Sequence, residues 1–157
     1  MSLRAFGNWL ESTSLSHLIQ TTHGAIADIQ VVHIICLATL VALALIFSLR
    51  IAGRGLAVES LASLAGRFLP AMWTCIALLL LTGSLLIIAE PGRAIANKVF
   101  YIKMALVAVA VVITLWLAAV ARREPERPRT IHVVAAGLYM LIWAGIIVAG
   151  RLIAYSV

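Results

Sequence analysis

The alternation of apolar and polar positions divides the chain into four long apolar runs separated by short polar connections. The runs cover about residues 26–49, 68–89, 99–121 and 130–154. Each reaches or exceeds the ~20 residues that a helix needs to cross a hydrocarbon core. None shows the two-residue alternation of a half-buried strand. A different pattern precedes them. Within residues 3–23, Phe6, Trp9, Leu10, Leu15, Leu18 and Ile19 are interspersed with Asn8, Glu11, Ser16, His17 and Gln20. This spacing predicts an amphipathic segment that lies along the membrane face, folds over the bundle mouth and sets Trp9 at the headgroup boundary. Ser12-Thr13-Ser14 offers helix N-caps, and Gly24 a break before the first span. The expected fold is an all-α integral membrane four-helix bundle preceded by a short amphipathic interfacial helix, in one membrane domain over residues 1–157.

The connections carry their own stop signals. The first span ends at Arg50, before Gly53-Arg54-Gly55. The loop to about Arg67 holds Glu59 and leaves room for a short amphipathic helix around Val58–Leu64. Pro70 falls in the expected first turn of the second span, where its missing N–H is harmless. Glu90-Pro91-Gly92-Arg93 ends that span. The stretch from Arg122 to Arg129, with Pro125 and Pro128, ends the third. Thr130 offers a cap for the fourth, and Arg151 and Tyr155 stand near its exit.

Composition strengthens this picture. The chain is 64% hydrophobic and 11% charged, where a soluble domain is about a quarter charged. Its mean hydropathy is +1.11. The net charge of +6 falls mainly in connections, where basic residues orient helices and meet anionic headgroups. No basic face with interleaved aromatics exists, which excludes nucleic acid as a partner. The connections after spans one and three hold seven basic residues: Arg50, Arg54, Arg67, Arg122, Arg123, Arg127 and Arg129. The other side holds five: Arg4, Arg93, Lys98, Lys103 and Arg151. The bias places both termini outside, periplasmic in a bacterial inner membrane. No signal peptide is visible at the N-terminus.

With this topology one end of the bundle gathers most of the chemistry. His33 lies a short way into span one, and Tyr101 and Lys103 lie at similar depth at the start of span three. Gln30, Asp28, Glu90, Arg93 and Asn97 stand at the same end, with His23 and His17 if the leading segment folds back. Ionisable groups at membrane depth are expensive and mark functional sites. A neutral imidazole on a spanning helix suits an axial haem ligand, and bundle interiors are where haem fits. Arg93 or Lys103 can pair with a propionate, and Gln30, one turn before His33, can orient its ring. Asn97 and Tyr101 complete the candidate cofactor-binding set. His33 and His23 are candidate metal ligands that can share an ion only if the chain bends at Gly24. Competing structural readings are a His33 hydrogen-bonded between helices and a Lys103 that snorkels to the headgroups.

Other features read as structural. His17 is a wetted interface residue. His132 sits at the opposite end, ~25 Å from His33 by helix rise, and suits a cap or loop contact. Cys36 and Cys75 have no ligand spacing and read as small core residues. Met72 and Met104 lack the clustering that copper thioether sites need. Gly137, Gly145 and Gly150, with Ala135, Ala144 and Ala149, form a small-residue stripe for close helix packing. Trp73, Trp116, Trp143 and Phe68 suit packing or interface anchoring. No hydrolytic or transferase motif is present.

A resemblance adds to this reading. Its residues are the early His33, Leu49-Arg50-Ile51-Ala52-Gly53, Leu69-Pro70-Ala71-Met72-Trp73, Thr82-Gly83, Glu90-Pro91-Gly92-Arg93, Asn97, Phe100 and Ile102-Lys103-Met104. In this order they resemble a family of uncharacterised bacterial four-span membrane proteins. More distantly the chain is similar to the group containing the CopD copper-resistance domain and the HemJ-type protoporphyrinogen oxidase. The HemJ type pairs a first-span histidine with a lysine opening its third span and binds b-type haem. His33 and Lys103 match those two positions.

The expected function is therefore a membrane b-type haem protein in electron transfer, with quinone or a partner redox subunit. Two alternatives stand beside it. One is CopD-like copper transport or tolerance, with copper as the cofactor. The other is a cofactor-free anchor for a periplasmic partner. The lipid bilayer is a partner in every case, and a homo-oligomer is compatible with all three.

Overall fold

The computed structural model describes residues 3–53, 60–123 and 130–155. Among these described residues seven helices follow one another: α1 (Leu3–Glu11), α2 (Ser14–Thr21), α3 (Ala25–Ile51), α4 (Leu61–Ala89), α5 (Pro91–Ala96), α6 (Lys98–Arg122) and α7 (Thr130–Tyr155). Four of them, α3, α4, α6 and residues Thr130–Ile153 of α7, are long and apolar enough to cross a membrane. With no water in the hydrocarbon layer, helices satisfy their backbone groups internally.

The four spans form an up-and-down bundle. α3 packs most extensively on α4, and α6 on α7. Contacts of α3 with α7 and of α4 with α6 close the ring. The inward faces follow the sequence at three- and four-residue steps. Cys36, Leu40, Ala44, Phe47 and Ile51 are buried on α3, and Ala110, Thr114, Leu117 and Ala121 on α6. That spacing keeps one seam of each helix turned to its neighbours. The outward faces are equally apolar: Ile34, Leu81, Val112 and Leu141 are all exposed. Such residues suit lipid rather than water.

One polar bond lies deep in this core. Thr114 and Tyr139, both almost fully buried, stand 2.7 Å apart between α6 and α7. Thr114 gives its only hydroxyl proton to the Ala110 carbonyl at 2.8 Å. Tyr139 is therefore the donor in the cross-helix bond.

The leading segment is two helices rather than one. Thr13 caps α2 by accepting from the Ser16 N–H, and Gly24 breaks the chain in the left-handed region at φ +81°. α1 rests on α5, and Gly7 permits the approach: a Cβ there would meet Ile95 Cδ1 at 3.0 Å. α2 rests on the end of α4. The Ala89 carbonyl belongs to the last turn of α4 and has no partner within that helix. Ala89 is fully buried, so water does not serve it either. The Gln20 amide of α2 donates to it at 2.7 Å. α1, α2 and α5 thus cover one end of the bundle, termed here the capped end; the other is the arginine end.

Two expectations are corrected. α4 starts at Leu61 with Ser60 as its cap, ahead of the expected span start at about Phe68. Leu61–Leu64 therefore form its first turn instead of a separate loop helix, and Pro70 lies inside the helix. Its ring removes one N–H from the ladder, and the Thr74 hydroxyl donates back to the Pro70 carbonyl at 3.0 Å. At 29 residues, α4 extends ~44 Å by helix rise. That exceeds a ~30 Å hydrocarbon core, so the segment before Phe68 need not lie in it. The small-residue stripe of α7 is also not one face. Ala149 is buried, Gly145 and Gly150 face α6 side chains, but Gly137 and Ala144 are exposed. Positions 54–59 and 124–129, including Arg54, Gly55, Val58, Glu59, Glu124, Pro125, Glu126, Arg127, Pro128 and Arg129, lie outside the described residues.

Removing the Thr114–Tyr139 bond tests the core. Tyr139→Phe and Thr114→Val are each expected to lower stability by ~1 kcal/mol, measured by reversible unfolding in bicelles. The double variant should show a coupling of about 0.6 kcal/mol.

Candidate functional site

The site is built by all four spans near the capped end. His33 is on α3, Thr82 and Gly83 on α4, Lys103 on α6 and Gly150 on α7. His33 follows the start of α3 by ~12 Å of helix rise and is half-buried. Its Nδ1 lies 2.8 Å from Thr82 Oγ1. Thr82 is buried, and its hydroxyl donates to the Leu78 carbonyl at 2.7 Å. A hydroxyl has one proton, so Thr82 accepts from His33 and Nδ1 carries the hydrogen. Nε2 then keeps its lone pair, and no described residue bonds to it. The ring also lies close to the α4 backbone: a Cβ on Gly83 would meet His33 Cε1 at 3.5 Å.

Lys103 is half-buried and crosses to α7, where a Cβ on Gly150 would sit 3.6 Å from its Nζ. A larger side chain at position 150 would crowd the ammonium. No described carboxylate pairs with it. The arrangement is an imidazole with one oriented nitrogen and a lysine that reaches the neighbouring span, both near the capped end. It can ligate a metal centre through Nε2 and neutralise an anionic group next to it.

The other candidates are placed differently. Asn97 caps α6, accepting from the Val99 N–H at 2.9 Å. Tyr101 is exposed, and its hydroxyl donates to the Ile95 carbonyl at 3.0 Å. Arg93 pairs with Glu90 at 2.9 Å on the exposed side of α5. Gln30, one turn before His33, is exposed, as is Asp28. His23 is exposed and precedes α3. His17 is exposed on α2, and His132 meets the Trp116 ring edge-on at 5.5 Å at the arginine end. The Cys36 and Cys75 thiols are free. Met72 is buried in the core while Met104 is exposed. Among the described residues no group of three or more His, Cys, Asp or Glu gathers to hold a metal ion.

Residue chemistry alone does not single out Thr82 as the partner of His33. Depth matching would find it. Thr82 stands seven residues before the end of α4, and His33 eight after the start of α3. In an antiparallel pair these fall at one level. No family model, no curated protein and no solved structure matches this chain.

The tautomer is directly testable. In 15N-histidine-labelled protein, His33 should be protonated at Nδ1. Thr82→Val should shift it towards Nε2 protonation, while Thr82→Ser should preserve the native signature. A wild-type ring protonated at Nε2 would contradict the assignment.

Proposed function

We propose that this chain is a membrane-embedded b-type haem protein in electron transfer, with quinone or a partner redox subunit. The observation that carries the reading is the His33–Thr82 bond. Axial histidines commonly donate their second ring nitrogen to a neighbour, which fixes the tautomer and ring orientation. Thr82 accepts from Nδ1 at 2.8 Å and leaves Nε2 as the ligating atom. In this reading His33 would hold the iron, and Lys103 would neutralise a propionate. Lys103 suits that role better than Arg93, whose guanidinium is bound to Glu90 on the exposed side of α5. Haem, when bound, supplies a one-electron couple. The chain supplies the ligand, its orientation, the adjacent cation and, through α1, α2 and α5, a cover over that end. The proposed setting is a bacterial inner membrane with both termini periplasmic.

The purified full chain should show a Soret band that shifts on reduction with dithionite. His33→Ala should abolish it. Lys103→Gln should lower haem retention several-fold. Thr82→Val should retain haem but change the reduction potential. A preparation without a Soret band, or a His33→Ala variant with unchanged haem content, would overturn the proposal.

A further inference from the structure

The arginine end holds a feature that the haem reading does not use. α4 and α6 touch less extensively than the paired helices of either hairpin. Between them opens a groove of about 300 Å3, lined by Trp73, Leu115, Ala118, Ala119, Arg122 and Arg123. Ala118 and Ala119 leave its middle unfilled because neither side chain reaches past Cβ. Arg122 ends α6 and Arg123 is its C-cap, and both are exposed. Leu115 is seven residues earlier, ~10 Å deeper by helix rise. The groove thus runs from a doubly cationic rim to an apolar depth.

That gradient fits one class of molecule. A phospholipid carries phosphate at the headgroup level and hydrocarbon beneath it. Guanidinium groups bind phosphate oxygens through paired N–H donors. Basic pockets between spanning helices recognise anionic headgroups on the same principle. Positions 124–129 add two arginines and two glutamates, so their sequence does not cancel the rim charge. A zwitterionic headgroup would bring a second cation to the same rim and is disfavoured.

We propose that this groove is a binding site for one anionic phospholipid. Its phosphate is held by Arg122 and Arg123, and an acyl chain lies along Leu115, Ala118, Ala119 and the Trp73 ring. The site is independent of any cofactor at the opposite end.

Native mass spectrometry of the full chain tests it, with phosphatidylglycerol and phosphatidylcholine of identical acyl chains as probes. Wild type should retain one phosphatidylglycerol, with roughly tenfold preference over phosphatidylcholine. Arg122→Gln/Arg123→Gln should remove the preference. Ala119→Phe fills the groove without changing charge and should also lower retention about tenfold. Ala119→Leu provides a smaller filling if the larger ring disturbs helicity. Retention lost in the arginine variant but unchanged in both Ala119 variants would show diffuse charge attraction and overturn the site. Equal retention of the two lipids by wild type would overturn it as well.

Discussion

A hydrocarbon environment gives a polar side chain no water to fall back on, and the interior of this bundle is arranged around that constraint. Two threonines meet it in the same way. Thr82 and Thr114 each give their single proton to the carbonyl four residues earlier in their own helix. Each is thereby left able to accept across the bundle, Thr82 from His33 and Thr114 from Tyr139. The first bond fixes a ring nitrogen near one end. The second fastens α6 to α7 in the core. The device costs no unsatisfied donor, and it turns a small hydroxyl into a directional acceptor in a region otherwise held by non-directional packing.

The two ends of the bundle are consequently unlike. At the capped end the chain doubles back, and α2 supplies through Gln20 the donor that the buried end of α4 lacks. This bond ties the cover to the span that carries Thr82. At the arginine end the connections are cationic, and α4 and α6 leave a groove between them. The proposed redox site and the proposed lipid site thus lie at opposite ends.

The legibility of the site in the sequence follows from the same physics. His33 and Lys103 stand out because titratable groups are rare within spans. Thr82 does not stand out, because a threonine that bonds its own backbone is common in such helices. Only its pairing with His33 gives it a role. Asn97, Tyr101 and Arg93 were the reverse case. Each has the right chemistry at the right depth, yet each is engaged by local structure: a helix cap, a carbonyl of α5 and a neighbouring carboxylate. Residue type and depth do not reveal whether a side chain is already engaged locally. The start of α4 was obscured similarly: Pro70 read as a first-turn signal, but Ser60 caps the helix earlier and the Pro70 ring is tolerated within it.

The sequence by itself determined the class, the number of spans, the breaks at Gly24 and Glu90, and the end at which polar groups collect. These depend on hydropathy and on the backbone preferences of glycine, proline and capping residues, all of which act over a few neighbouring positions. The tertiary structure decided which polar groups meet. It set His33 against Thr82, Lys103 against the bare backbone of Gly150, Gln20 against Ala89, and opened a groove between α4 and α6. Those outcomes depend on the rotation and antiparallel register of helices distant in sequence. All four spans are apolar around most of their circumference, so the hydrophobic pattern does not specify the rotation, and packing together with the few buried hydrogen bonds does.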